Sequence, residues 1–265
     1  MNLEPPRIVG VVLVQNEDVF VERAVRNIAA FCDTLLLCDD RSTDRTSGIL
    51  RGLAEEIPHA SFHPLTHPSQ SHDLLKPFAG TRTWVFGVDG DEIYDPAGLE
   101  VFRQRLHSGE FDALWRMKGN VLHCQELESG RARGHAAPPS RSITKLYNFA
   151  AIASWDGDTV ERLHGGTIRF QPGFDDAMKR NLQDELDWDA SPLRCLHLCF
   201  LPRSSRETAG PPVRENIMEI HRGGLRGKLR RLANRLLGRG TPSRWKREHY
   251  CCGPLLKVET ALFFP

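Results

Sequence analysis

One pattern constrains this chain more than any other: three apolar, β-rich runs, each stopping at a cluster of acids and amides. Arg7-Ile8-Val9-Gly10-Val11-Val12-Leu13-Val14 ends in Gln15-Asn16-Glu17-Asp18. Thr34-Leu35-Leu36-Leu37-Cys38 ends in Asp39-Asp40-Arg41-Ser42-Thr43-Asp44, and Thr83-Trp84-Val85-Phe86-Gly87 ends in Val88-Asp89-Gly90-Asp91-Glu92. Runs without polar alternation suit strands covered on both faces, as in a parallel sheet. After the first run, Val21, Ala24, Val25, Ile28 and Ala29 recur at three- and four-residue spacing, which predicts an amphipathic helix. After the second, Ile49, Leu50 and Leu53 predict another, capped by Ser42 or Thr43. Strand, helix, strand, helix describes an α/β protein. Ligands of such sheets bind outside the carboxyl ends of the strands, where the strand order reverses.

The third cluster carries the most chemistry. Asp89 and Asp91, one residue apart at a strand end, make a hard-oxygen site for Mg²⁺ or Mn²⁺, which share their remaining positions with substrate phosphates. Gly90 lacks a Cβ, so the backbone can turn sharply there and a ligand can approach closely. Surface turns also produce Asp-x-Asp triplets. The weight of this one comes from the two strand-end clusters that precede it.

Together, Val14-Gln15-Asn16-Glu17, Cys38-Asp39-Asp40-Arg41-Ser42-Thr43-Asp44-Arg45-Thr46 and Val88-Asp89-Gly90-Asp91-Glu92 resemble the family 2 glycosyltransferases, in order and spacing. The resemblance is specific over about residues 7–100 and absent beyond about 200. It implies an α/β fold of GT-A type, with a Rossmann-like, mostly parallel central sheet and helices on both faces. That domain would span residues 1–205, with a nucleotide-sugar half to about 110 and an acceptor half from about 111. Residues 206–265 would form a basic, partly helical extension. The implied cofactor is Mn²⁺ or Mg²⁺, and the implied donor is a nucleotide sugar, a UDP-sugar first. Asp91 would bind the metal, and Asp89 would face the ribose or the metal's water shell. Asp39 or Asp40 would contact the base or ribose, with Val14, Asn16, Glu17 and Gly90 completing the pocket. Gln70 and Lys76 stand where the family often has a polar helix before the metal strand. That helix here holds Pro77 and lacks the usual arginine, so Lys76 counts among the nucleotide-sugar-binding residues while the family's diphosphate contact is left unassigned. Certain members place a late histidine on the metal or diphosphate, and His197 follows at a suitable distance.

Charge neutralisation is the physical need behind such a site. A nucleoside diphosphate leaves poorly until a cation bridges its phosphates, and the acceptor hydroxyl needs a general base on the opposite side of the sugar carbon. That carboxylate should come from outside the nucleotide half. Some family members follow a strand bearing basic residues with a His-Glu pair. Val160-Glu161, after Ile143–Phe149, resembles that pair with its histidine lost. Glu161 is therefore the leading base, Asp158 the second and Asp175-Asp176 the third. A single base with in-line attack would invert the anomeric carbon. Two other readings stay open: a sugar nucleotidyltransferase of related fold, and a non-catalytic GT-A scaffold. The first normally opens with a glycine- and basic-rich phosphate loop, which Val14-Gln15-Asn16-Glu17 does not supply. The second would be expected to carry a damaged metal motif.

Cys195-Leu196-His197-Leu198-Cys199 alternates, so a strand there would put its Cys and His side chains on one face. Zinc is conceivable, but no second Cys-x-x-Cys half accompanies them and core cysteines are common. His123, His164 and His221 receive no role. The chain of 265 residues carries seven cysteines without framework spacing, which predicts reduced thiols and a cytoplasmic protein. Neither a signal peptide nor a membrane-spanning run is read from the sequence.

A net charge of +1 hides a segregation: residues 222–247 hold ten Lys or Arg and no acid, leaving 25 basic against 34 acidic residues elsewhere. Leu225, Leu229, Leu232 and Leu236 form a stripe within it. The reading is peripheral contact with an anionic membrane, or packing of the stripe on the body. Nucleic acid is disfavoured because few aromatics interleave. Glu128–Ser140, rich in Gly, Arg, Ala and Pro, reads as a mobile loop that would close over the donor or sit idle. Trp115, Trp155 and Trp188 are candidate sugar platforms or core residues.

Overall fold

The first apolar run becomes β1 (Arg7–Val14) in a computed structural model that describes residues 4–137, 145–207 and 248–264. The chain is α/β, and its central sheet has seven strands. β1 lies between β2 (Thr34–Asp40) and β4 (Thr83–Asp89), both parallel to it, and β3 (Ala60–Leu65) continues beyond β2. Beyond β4 lie β9 (Lys145–Asn148), antiparallel to it, then β6 (Arg116–Lys118) and β12 (Lys179–Asn181). The sheet is mixed and mostly parallel.

Strand periodicity divides the core. Ile8, Val12 and Val14 face one side with Leu35, Leu37, Trp84, Phe86 and Val88. There they meet α1 (Val21–Ala29), α2 (Thr46–Glu56) and α4 (Pro96–His107) through Val25, Ile28, Leu50, Leu53, Leu99 and Phe102. Val9, Val11, Leu13, Leu36, Cys38 and Val85 face the other side. This side is covered by the hairpin β10 (Ile152–Glu161) and β11 (His164–Phe170), near the short helix α3 (Gln70–Asp73). Helices thus lie on both faces, but the long ones share one. The hairpin does the covering opposite them, and it brings charged residues to the strand ends.

α4 starts where Asp95 accepts the N–H groups of Ala97 and Gly98, both at 3.1 Å, with Pro96 at the first helical position. Such a cap contributes about 1 kcal/mol. The expected Ser42 or Thr43 cap on α2 does not form: that helix begins at Thr46, and the preceding loop is tied instead to β1. Asp44 accepts the Thr46 N–H at 2.9 Å.

A second, five-stranded sheet follows the order β14-β8-β7-β13-β5. Its members are β5 (Glu92–Tyr94), β7 (Asn120–Glu128), β8 (Arg131–Ala136), β13 (Arg194–His197) and β14 (Leu255–Glu259). Three expectations change here. Most of the expected 128–140 loop is the strand β8, joined to β7 by Ser129-Gly130 with Gly130 at φ +81°; residues 138–140 lie outside the described residues. The tail does not stand apart from residue 206, because β14 pairs with β8 and Phe263 stacks on Trp188. The nucleotide and acceptor halves interleave, since β5 joins the second sheet while β6, β9 and β12 complete the first. The basic stretch 222–247, with its leucine stripe, and His221 lie outside the described residues. Among the described residues no helix is long and apolar enough to cross a membrane.

Candidate active site

The carboxyl ends of β1, β2 and β4 lie side by side, with Leu13 opposite Asp89 and Val14 opposite Asp39. Asp89 projects from the hairpin-covered face, two residues beyond Gly87. The hairpin register pairs Glu161 with His164, leaving Arg162 and Leu163 as the turn, with Leu163 at φ +49°. Leu163 packs into the core, and Arg162 runs inward to ion-pair with Asp89. The backbone N–H of Arg162 donates to Ser71 Oγ at 2.9 Å, anchoring the turn to α3. Burial raises the Asp89 carboxyl, but the Arg162 guanidinium, helped by Lys145, outweighs it and holds the group well below its ordinary range. Glu92 goes the other way: burial and then the Asp89 charge push it well up. Its carboxyl accepts the Asp89 N–H at 3.2 Å and the Tyr94 hydroxyl at 3.0 Å.

Beside this pair stands a chain of three groups. Lys145 Nζ lies 2.8 Å from His164 Nε2, and His164 Nδ1 lies 2.9 Å from Glu161 Oε1. Burial lowers Lys145 and His164. For Glu161 burial pulls upward, yet the His164 hydrogen bond and the Arg162 charge leave it below its ordinary value. Glu161 is thus a carboxylate held by a histidine beside a cationic cluster. Asp158 is exposed on β10. Asp175 accepts the Ala177 N–H at 2.8 Å, and Asp176 pairs with Lys179 at 2.8 Å, both as turn residues.

Asp91 is fully buried. Its Oδ2 accepts from Arg203 Nη1 at 2.7 Å, and the same nitrogen lies 3.0 Å from Glu17 Oε1. His197 Nε2 is 3.6 Å from Asp91 Oδ1. Sheet pairing brings His197 here: β13 runs antiparallel to β5 with His197 opposite Glu92, and Leu198 N–H donates to Asp91 O at 2.8 Å. On its other side β13 sets His197 opposite His123, with the two Nδ1 atoms 2.8 Å apart. Tyr250 lies flat on His123 at 4.1 Å. Gly90 is small for a different reason than expected, because a Cβ there would sit 2.5 Å from Glu17 Oε2 and 2.6 Å from Val14 Cγ1. The chain's own glutamate makes the close approach.

Asn16 takes a left-handed φ of 54°. Its Oδ1 accepts from Thr43 N at 2.7 Å and Asp44 N at 3.3 Å, while its own N–H donates to Ser42 Oγ at 2.8 Å. The Glu17 N–H donates to Thr46 Oγ1 at 2.8 Å. These contacts lock the β1 and β2 loops together. Asp39 accepts the Ser42 N–H at 3.2 Å, and Asp40 pairs with Arg41 at 2.8 Å. Lys76 is half exposed and pairs with Asp73 at 2.7 Å. It lines a small cavity of about 150 Å³ with His72, Phe149, Trp155 and Asp156. Gln70 accepts from Thr66 and His67. Trp115 and Trp155 are core residues and Trp188 packs on Phe263.

A divalent cation fits one group of donors. Asp89, Asp91 and His197 each offer one ligand atom within 4.8 Å of the others, and His123, His197 and Cys199 form a second such group. Two carboxylates and an imidazole suit Mn²⁺ better than Mg²⁺, which prefers oxygen throughout. Cys195 shares a face of β13 with His197, as the alternation predicts, but it packs in the core and belongs to neither ligand group. No disulfide joins any of the seven cysteines, all of which lie among the described residues. Sequence reasoning did not reach Arg162, Lys145, His164, Arg203, His123 or Tyr250. Arg162 had a visible signal, a basic residue next to the leading base candidate.

No protein-family model matches the chain. An uncharacterized glycosyltransferase of Rickettsia bellii is 23% identical over 161 residues, which are 58% of this chain and 51% of that protein. The chain therefore spans about half the length of that relative. Among solved structures, S. aureus TarS (1–349) aligns with a TM-score of 0.40 and 14% identity, over 55% of this chain and 48% of its own. Glucosyl-3-phosphoglycerate synthase from Mycobacterium tuberculosis, in complex with Mn²⁺ and UDP, gives 0.33 and 22%, over 44% of each chain. The mannosyltransferase PcManGT of Pyrobaculum calidifontis, with GDP-Man and Mn²⁺, gives 0.35 and 20%, over 44% and 36%. The resemblance to glycosyltransferases read from the three motifs recurs in the sequence relative.

Proposed function

We propose that this chain is a glycosyltransferase that moves a sugar from a nucleotide-sugar donor, a UDP-sugar first, to an acceptor hydroxyl with inversion. The observation that carries the reading is the convergence of Asp89, Asp91 and His197 at the carboxyl ends of β1, β2 and β4. These three residues would hold Mn²⁺, or Mg²⁺ in its place. Bound there, the cation would neutralise the leaving diphosphate as a Lewis acid. Asp39 would accept a hydrogen bond from the base or ribose, with Asn16 and Glu17 fixing the loops around it. Glu161, oriented by His164, would take the proton from the acceptor hydroxyl. Arg162 would keep Asp89 ionised and in place. Residues 222–247 would add contact with an anionic membrane surface.

A screen of nucleotide sugars by thermal shift, with and without Mn²⁺, tests the donor class. A Mn²⁺-dependent stabilisation by one nucleotide sugar, with slow release of its nucleoside diphosphate, is expected. The guanidinium contacts on both Asp89 and Asp91 favour the scaffold as a second reading. Such a scaffold would show neither stabilisation nor release.

A further inference from the structure

The segment Pro202–Glu207 lies across the strand-end site. Arg203 O accepts from Val19 N at 3.0 Å, and Arg203 N donates to Glu207 at 2.8 Å. Ser204 Oγ donates to Asp44 at 2.5 Å, while the N–H and hydroxyl of Ser205 both reach Asp18 at 2.6 Å. These contacts fix the strap to the loops after β1 and β2. They deliver the buried Arg203 guanidinium to Glu17 and Asp91, where one nitrogen serves both carboxylates.

Asp91 needs a counter-charge whenever no ion is bound, because a buried carboxylate without one is strongly destabilising. Arg203 supplies it. A divalent cation on Asp91 would stand within a few ångströms of that guanidinium, and at such separation in a water-poor site the like charges repel each other. Building on the metal reading above, we propose that Arg203 is the resident cation of this site and that a divalent ion takes Asp91 only as the strap surrenders it. Loading is then an exchange of cations, and the Pro202–Glu207 strap sets the ion's affinity.

The test is Mn²⁺ binding alone, by calorimetry on the full chain without donor. Arg203→Ala should bind Mn²⁺ about tenfold more tightly or better, the weight of one charge-assisted hydrogen bond removed from competition. That variant leaves two buried carboxylates short of a guanidinium, so its folding is checked by circular dichroism. A second variant covers the case in which it does not fold. Ser204→Ala/Ser205→Ala keeps Arg203 and its charge but removes the strap's two hydroxyl anchors, and it too should bind Mn²⁺ more tightly, by a smaller factor. Mn²⁺ binding that Asp91→Asn abolishes, yet that neither strap variant strengthens, would overturn the exchange and leave the metal reading standing. No Mn²⁺ binding by any form of the protein would overturn both.

Discussion

His164 stands across the β10–β11 turn from Glu161, its Nδ1 2.9 Å from the carboxylate Oε1. The glutamate reads in sequence as half of a His-Glu pair with its histidine missing. The two-residue turn supplies a histidine from the returning strand. Glu161→Gln keeps shape and hydrogen bonding but cannot accept a proton, so kcat should fall about 10²- to 10⁴-fold with donor and Mn²⁺ affinity nearly unchanged. His164→Gln should lower kcat less, through lost orientation. Transfer at the wild-type rate by Glu161→Gln would move the search to Asp158 or Asp175-Asp176, and a parallel loss of donor affinity would make Glu161 a binding residue.

Asp89 and Arg162 form the other pair that spans sheet and hairpin. Asp89→Asn removes the partner of a buried guanidinium, and urea unfolding should show a loss of about 2 kcal/mol. The full cost of breaking a wholly buried pair is larger, but the Asp89 side chain is 32% exposed. Donor binding should suffer more than Mn²⁺ binding, measured by titration with nucleoside diphosphate and with the metal alone. A stability unchanged within error would mean that the ion pair does not hold the turn.

The two acids that end β2 should differ. Asp40 is neutralised by Arg41, whereas Asp39 accepts a backbone N–H from Ser42 and has acceptor capacity left for a ligand. Asp39→Ala should weaken nucleoside diphosphate binding about tenfold or more in the presence of Mn²⁺, the scale of one charge-assisted hydrogen bond. Asp40→Ala should be tolerated. Indifference at both positions in that titration argues against a nucleotide pocket at this strand end.

Acid should loosen the strap. Burial raises the Asp18 carboxyl, but hydrogen bonds from Ser205 and Arg45 prevail and bring it down from 3.8 to about 2. A folded value below the unfolded one means that the carboxylate adds stability above about pH 3.8 and loses it as pH falls toward 2. The stability difference between wild type and Asp18→Asn should therefore be constant from about pH 5 to 7 and shrink below about pH 4. A difference that grows on acidification would contradict the sign.

The first hundred residues told most of the fold because their signals are local. An unbroken apolar run must be buried on both faces, and β1, β2 and β4 are. The same locality hid the rest. β8 is short and studded with arginine, glycine and histidine, and becomes a strand because β7 and β14 flank it. Asp91 carries its chemistry in its own triplet and the resemblance points to His197, but Arg203 comes from far along the chain, held there by contacts of residues 203–205 with the loops after β1 and β2. Ser42 and Thr43 look like caps in sequence, yet their groups are taken by Asn16, in a left-handed conformation that asparagine tolerates better than most residues.

Under the proposed function, Asp91 would hold a divalent ion that binds the donor's diphosphate. The most direct test of that claim is the affinity for UDP, with and without Mn²⁺, of the wild type and of Asp91→Asn. The wild type should bind UDP at least about tenfold more tightly with Mn²⁺ than without, whereas Asp91→Asn, in which Arg203 keeps Glu17 as a partner, should still fold and should lose that gain. An Asp91→Asn protein that keeps the full Mn²⁺-dependent gain would contradict the account.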